Sequence, residues 1–332
     1  MWYTNTGKKG DIVLSSRVRL ARNIKDIPFA GKMTEKDELT VLKKLKPVAE
    51  KNGLNFFSLK DFPLYEKQAL AEQHIISPDM LDNSRQRGLI ISPDNRTSIM
   101  LCEEDHIRIQ CMQEGFDLEE CLKNAVEIDN LIEEEIDYEF HQDLGYLTCC
   151  PSNLGTGMRA SVMVHLPAHT QTGKINSIIR NFSQVGLTVR GLYGEGSKAL
   201  GNIYQVSNQV TLGLTEEEII EKLTGFITEL TENERKLQKE LYEREKFVLE
   251  DKIMRSYGTL KNAVILSSSE TLNLISDMRM GINLGIIKDI TLGTLNEIFY
   301  AVLPANIIKK YNLESSAERD LKRAEIIKEK LK

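Results

Sequence analysis

This chain has no C-x-x-C pair, no long apolar run, no excess of basic residues and no GxxxxGK[ST] phosphate loop. Each absence excludes something. Its five cysteines (Cys102, Cys111, Cys121, Cys149 and Cys150) lack metal-ligand spacing, and adjacent cysteines such as Cys149 and Cys150 rarely reach disulfide geometry. A reduced, cytoplasmic protein is the simplest reading. No segment is long and apolar enough to span a bilayer, and the polar Met1–Gly10 start lacks the apolar centre of a signal peptide. A net charge of −6, from 43 basic and 49 acidic residues, argues against a nucleic-acid surface, because such binding neutralises many phosphates with Lys and Arg. With neither a P-loop nor HRD and DFG elements, any nucleotide would have to be held another way.

What is present is ordinary soluble composition over 332 residues, enough for two domains or for one large domain with an appendage. Residues 11–20 read as an extended segment on which Arg17 and Arg19 share a face. Helical spacing follows over 34–50, with Thr34 as N-cap and Asp37 three residues on, and again over 65–72 ahead of His74. Strands are predicted at 88–92, 97–102 and 106–112, with Asp94-Asn95 in a hairpin turn. Asp117 opens a long amphipathic helix, and strand 161–166, helix 170–182, strand 187–192 and strand 203–212 come next. From Thr215, an N-cap followed by three glutamates, the pattern is almost wholly helical, including 270–280, 294–302 and 316–330. The expected class is α+β: a mainly antiparallel sheet flanked by helices over residues 12–237, then an all-helical domain over 238–332.

Three features carry chemistry. Arg17, Arg19, Arg108, Arg159 and Arg190 all lie on or beside predicted strands. Singly, each is explained by a salt bridge or a solvated strand edge; as a set they suit a polyphosphate, which guanidinium groups bind bidentately. Carboxylates come next, in Glu103-Glu104-Asp105 at a strand junction and in Glu195 after the strand that holds Arg190. Alone the triplet reads as a solvated turn. Paired with Glu195 it could hold a cationic guanidinium by its fork and accept a proton during phosphoryl transfer. Third, Thr148-Cys149-Cys150-Pro151-Ser152-Asn153-Leu154-Gly155-Thr156-Gly157 is either a plain turn or a ligand loop whose thiol adds a negative contact.

The segments Leu14–Asn23, Glu103–Arg108 and Cys150–Thr156 resemble the strongest signatures of the phosphagen (guanidino) kinase family, with Arg159–Val162 and the Arg190–Glu195 loop in the expected order. The resemblance implies transfer of the γ-phosphoryl group of ATP, its Mg2+ held through the nucleotide and not by a protein metal site. By position, Ser15, Ser16, Arg17, Val18, Arg19, Arg108, Arg159, Ala160, Ser161, Val162, Met163, Arg190, Gly191, Leu192, Tyr193, Gly194 and Glu195 would contact the nucleotide. His74 resembles the family's nucleotide-contacting histidine, a surface or capping role being the alternative. Glu104 and Glu195 would bind the guanidinium and act as base, with Cys150 as the active-site thiol and Cys149 a buried bystander.

Small-molecule members carry a helical domain of about a hundred residues before the Ser-Ser-Arg motif; here fourteen residues precede it, and Gln205 stands where those enzymes usually have Asp. An open acceptor site is expected, suited to a guanidinium on a protein surface. That architecture is similar to bacterial protein arginine kinases, and Arg319-Asp320-x-x-Arg323-Ala324 resembles their phosphoarginine-binding motif. On a helix the two arginines would form a fork one turn apart. The implied role is protein arginine phosphorylation in a stress response. The implied partners are an activator protein, a heat-shock repressor and a Clp protease, with a homodimer formed through the C-terminal domain. The alternatives are a kinase for a small guanidino compound and a non-catalytic phosphoarginine reader.

Overall fold

The structure, a computed structural model, describes residues 4–191, 199–313 and 315–332. In chain order its strands are β1 (Val13–Arg22), β2 (Asn55–Ser58), β3 (Gly88–Ile91), β4 (Thr97–Leu101), β5 (Ile107–Glu114), β6 (Phe140–His141), β7 (Gly145–Tyr146), β8 (Met158–His165), β9 (Leu187–Gly191) and β10 (Ile203–Asn208). Eight of them form one antiparallel sheet in the order β2-β3-β4-β5-β1-β8-β10-β9; β6 and β7 make a separate hairpin. The helices are α1 (Glu35–Lys51), α2 (Leu64–Glu72), α3 (Leu118–Glu133), α4 (Pro167–Gln171), α5 (Ile175–Gln184), α6 (Glu216–Asn262), α7 (Ser268–Asn283), α8 (Leu292–Ala301), α9 (Pro304–Tyr311) and α10 (Ser316–Lys330). The expected antiparallel sheet, flanking helices and helical C-terminal region are all present.

Local chemistry sets several boundaries. Thr34 and Asp37 form a reciprocal capping box at α1, and Thr215 and Glu218 form another at α6. The predicted helix over 170–182 is instead split into α4 and α5, because Gly173 takes a left-handed conformation (φ +71°) between them. The strand expected to reach residue 212 stops at Asn208, whose side chain bonds the backbone of Met158, Ala160 and Val210. Two elements had no clear signal: the four-residue β2, and α9, whose first amides are capped by Glu72 from α2.

Strand alternation gives the sheet two chemically distinct faces. Val18, Leu20, Ile107, Ile109, Ala160, Val162 and Val206 are buried in the main core, beneath the apolar stripes of α3, α5 and the first half of α6. At about 1.5–3 kcal/mol for each large aliphatic side chain buried, this face fixes the register of the sheet. The other face carries the arginines. A second core gathers the later helices, and α6 belongs to both: Ile219 to Leu230 pack on the sheet, and Leu237 to Leu260 pack on α7 and the helices beyond. Glu245 departs from helical geometry inside α6 (φ −128°, ψ 35°). Among the described residues, no helix is long and apolar enough to cross a membrane.

Candidate active site

The register explains how five separated arginines meet. Arg19 of β1 lies opposite Arg159 of β8 and Gln110 of β5, Arg17 lies opposite Ser161, and Gln205 of β10 faces Arg190 of β9. Arg108 is two residues from Gln110 on β5, so Arg17, Arg19, Arg108, Arg159 and Arg190 all project from one face. Their mutual repulsion is substantial. Burial, then Arg108 and Arg159, push Arg17 down to about 10; burial, then Arg17, Arg108 and Arg159, hold Arg19 well below its ordinary value. Arg159 is lowered by burial and by Arg190 and Arg108. Among the described residues, the buried Nε atoms of Arg19 and Arg159 have no hydrogen-bond partner. Such a face calls for a multiply charged anion with several acceptor oxygens, and a nucleotide polyphosphate fits it.

At one edge, a tight turn over 102–106 presents the carboxylates. Cys102 enters it with a left-handed backbone (φ 59°), its amide bonding His106 O at 3.0 Å. Buried Glu103 accepts from Arg108 at 2.6 Å and from the Ser77 hydroxyl, while the more exposed Glu104 accepts from Arg108 at 3.0 Å. Burial raises the Glu104 carboxyl, partly countered by Arg108. Fully buried Asp105 joins this turn to the cysteine loop: its Oδ1 accepts from Asn23 Nδ2 and from the Cys149 amide, each at 2.7 Å. Asn23 Oδ1 in turn accepts from the His106 amide at 2.9 Å.

The loop rests on a second support. Arg22, 2% exposed, pairs with Asp129 at 2.7 Å, donates to Thr156 O at 2.9 Å and lies 3.5 Å from the centre of the Tyr146 ring. Gly157 (φ +64°) passes so close that a Cβ would meet Ala21 O and Arg22 Nη1 at 2.6 Å, so this position admits glycine alone without rearrangement. Cys150 Sγ lies 3.0 Å from Ser152 Oγ. Burial and Asp105 push the Cys149 thiol up to about 12, leaving it protonated. Ser152, Asn153, Arg159, Thr188, Arg190, Asn208, Gln209 and Thr211 line a cavity of about 150 Å³ between loop and arginine face.

Not every residue expected at the nucleotide points there. Ser15, Ser161 and Met163 lie on the arginine side, whereas Val18, Ala160 and Val162 are core residues of the opposite face. Ser16 bonds Gly115 O at 2.9 Å and the Asp117 amide at 3.0 Å, tying β1 to α3. His74, left-handed at φ 58°, sits beside Arg17 and edge-on to Tyr300 with ring centres 6.2 Å apart. Burial and Arg17 hold its imidazole down at about 3, so it is neutral. Gly191 ends β9; Leu192, Tyr193, Gly194 and Glu195 lie outside the described residues. In α10 the anticipated fork is altered: Arg323 is 1% exposed and donates to Val302 O, Leu266 O and Asp320, while Arg319 and Asp320 are half-buried and Ala324 is buried. Asn23, Asp105, Arg22 and Gln110 were missed as supporting residues. Arg22, Asn23 and Asp105 lie within the motifs and Gln110 two residues beyond one, but no spacing marked them as supports.

The ATP:guanido phosphotransferase C-terminal catalytic domain matches residues 36–237, and the protein-arginine kinase McsB C-terminal domain matches residues 246–332. The protein-arginine kinase of Caldanaerobacter subterraneus subsp. tengcongensis is 46% identical over 328 residues, 97% of each chain. That of Bacillus pumilus is 44% identical over 340 residues, covering 100% of this chain and 93% of its own. Among solved structures, lombricine kinase matches with a TM-score of 0.62 at 25% identity, over 70% of this chain and 69% of that one. The duplicated taurocyamine kinase from Schistosoma mansoni gives 0.58 at 27%, over 69% of this chain and 33% of its own. With its arginine face, carboxylate turn and cysteine loop in the register described, the chain belongs to the protein-arginine kinases of the ATP:guanido phosphotransferase family.

Proposed function

We propose that this protein transfers the γ-phosphoryl group of MgATP to the guanidinium of arginine side chains in proteins. The observation that carries the reading is the convergence of five arginines on one sheet face directly beside the Glu103–Glu104 turn and the Cys150 loop. Arg17, Arg19, Arg108, Arg159 and Arg190 hold the phosphates, and His74 contacts the nucleotide beside them. Ser15, Ser161, Met163 and Gly191 line that face, while Ser16, Val18, Ala160 and Val162 act by holding β1 and β8 in place. The Mg2+ ion arrives with the nucleotide. Glu104 and Glu195 grip the acceptor's guanidinium, and the Cys150 sulfur steers it. As the acceptor nitrogen bonds to the γ-phosphorus, the bond to the β,γ-bridging oxygen breaks and ADP leaves. A carboxylate takes the nitrogen's proton. Transfer of this kind is mainly positioning and charge stabilisation, which rigid strands supply.

The finer parts of the proposal follow from the same frame. Residues 12–237 form the catalytic domain and 238–332 the helical domain, joined through α6. Arg319 and Asp320 bind phosphoarginine, the carboxylate facing the guanidinium and Arg319 the phosphate, while buried Arg323 and Ala324 hold α10 in place behind them. The protein is a cytoplasmic homodimer that acts in stress-linked protein quality control, with an activator protein, a heat-shock repressor and a Clp protease as partners. Full-length protein incubated with MgATP should label an arginine-rich protein with acid-labile phosphate and leave free arginine unlabelled. Glu104→Gln should lower kcat at least ~100-fold, the usual scale for a lost general base. Labelling of free arginine alone, or undiminished transfer by Glu104→Gln, would refute the reading.

A further inference from the structure

Arg17 differs from the other well-supported arginines in what holds it. Arg22 is paired with Asp129 at 2.7 Å, and Arg108 with Glu103 and Glu104 at 2.6 and 3.0 Å. Arg17 instead donates from Nε to Ser161 Oγ at 3.1 Å, from Nη2 to Gln205 Oε1 at 2.9 Å and, more weakly, from Nη1 to Gln110 Oε1 at 3.5 Å. Among the described residues, no carboxylate lies within ion-pair distance of it.

The amide orientation at Gln110 is fixed by its other bonds. Its nitrogen donates to His74 O at 2.6 Å and to Ser98 Oγ at 3.1 Å, which leaves the oxygen to face Arg17. Gln205 approaches from β10, directly across from Arg190 on β9. All three acceptors are uncharged. They orient the guanidinium, satisfy its desolvated N–H groups and cancel none of its charge. The small-molecule members usually place the shorter Asp here; a Glu would keep the reach of Gln205 to Arg17 and add a negative charge that competes with phosphate at contact distance, in a partly buried site where Coulomb interactions are strong.

We propose that Gln205, assisted by Gln110 and Ser161, is a positioning residue that aims Arg17 at the nucleotide while keeping its positive charge unneutralised. The neutral cradle thereby sets the affinity for the nucleotide and leaves the acceptor site untouched. This inference rests on Arg17 facing the phosphates, as proposed above.

The test is titration of full-length variants with a fluorescent ATP analogue and Mg2+, alongside KM for ATP and for an arginine-rich protein. Gln205→Glu should weaken nucleotide binding ~10–100-fold, with a shallower dependence on ionic strength because one cation is cancelled. Gln205→Leu, which removes the acceptor without adding charge, should weaken it by only ~3–10-fold. KM for the protein acceptor and the melting temperature should be unchanged in both. A Gln205→Glu protein that folds normally and binds nucleotide within twofold of wild type would overturn the proposal. Arg17→Ala separates the two levels. If it weakens binding while Gln205→Glu does not, the neutral-cradle idea alone fails; if Arg17→Ala is also silent, the nucleotide face falls with it.

Discussion

The thiols show how a single side chain's surroundings decide its chemistry. Burial raises Cys102 to about 12 and Cys111 to about 11, and lifts Cys121 well above the ordinary thiol range. Cys149, next to the proposed steering thiol, is pushed up to about 12 by burial and Asp105. Because only thiolate reacts with alkylating agents, brief iodoacetamide treatment at pH 8 should modify Cys150 and spare the other four. Peptide mass spectrometry checks this, and preferential labelling of Cys149 would mean that the loop is not built as described. The sequence placed two cysteines side by side and favoured Cys150 through motif position. What separates them physically is the burial of Cys149 beside Asp105, which accepts the Cys149 amide at 2.7 Å across 44 positions of the chain.

Among the elements, the turn over 102–106 and the strands around it depend on histidines held neutral. Ile24 donates its amide to His106 Nδ1 at 3.0 Å, so the ring proton sits on Nε2 and points to Pro28 O at 2.9 Å. Burial lowers His106 despite that carbonyl; burial and Arg279 lower His165 strongly; and burial and Arg17 hold His74 at about 3. In the unfolded chain each would titrate near ~6.5. Folded pKa values below unfolded ones mean that the stabilisation is complete above about pH 6.5. It is lost as pH falls toward the folded values, because the unfolded state then binds the extra protons. Each histidine contributes a slope of up to ~1.4 kcal/mol per pH unit in that window. The melting temperature should therefore fall between pH 7 and pH 5, and a flat or rising profile would contradict the neutral, buried assignment. Periodicity identified the strands that carry these rings. It could not identify the amide and carbonyl that fix their tautomers.

For the whole molecule, the helical region is joined to the sheet by more than α6. Arg279 of α7 is buried and donates to Gly10 O at 2.6 Å, and Glu72 of α2 caps α9 at 2.9 Å. Tyr300 of α8 reaches the edge of the arginine face beside His74. On the outer side, Phe247, Val248 and Met254 of α6 and Val264 and Ile265 after it are exposed, Phe247 at 82%. Exposed apolar side chains along this stretch suit the proposed dimer. Sedimentation of the full chain should give a dimer, and Phe247→Glu with Met254→Lys should shift it to monomer without changing the melting temperature of the folded unit. An unaltered dimer would place the interface elsewhere.

The sequence by itself determined the fold class, the helical C-terminal region and the residue types of the site. These follow from short-range rules: strand alternation, helical periodicity and the preference of Thr and Asp for caps. It also determined which arginines could share a face, since positions 17 and 19 on one strand must point the same way. Tertiary structure alone decided the rest. Register brought Arg108, Arg159 and Arg190 to that face and set Gln205 rather than a carboxylate against Arg17, while helix packing turned Arg323 inward onto two backbone carbonyls. Those outcomes depend on contacts between residues tens to hundreds of positions apart, which no local pattern encodes.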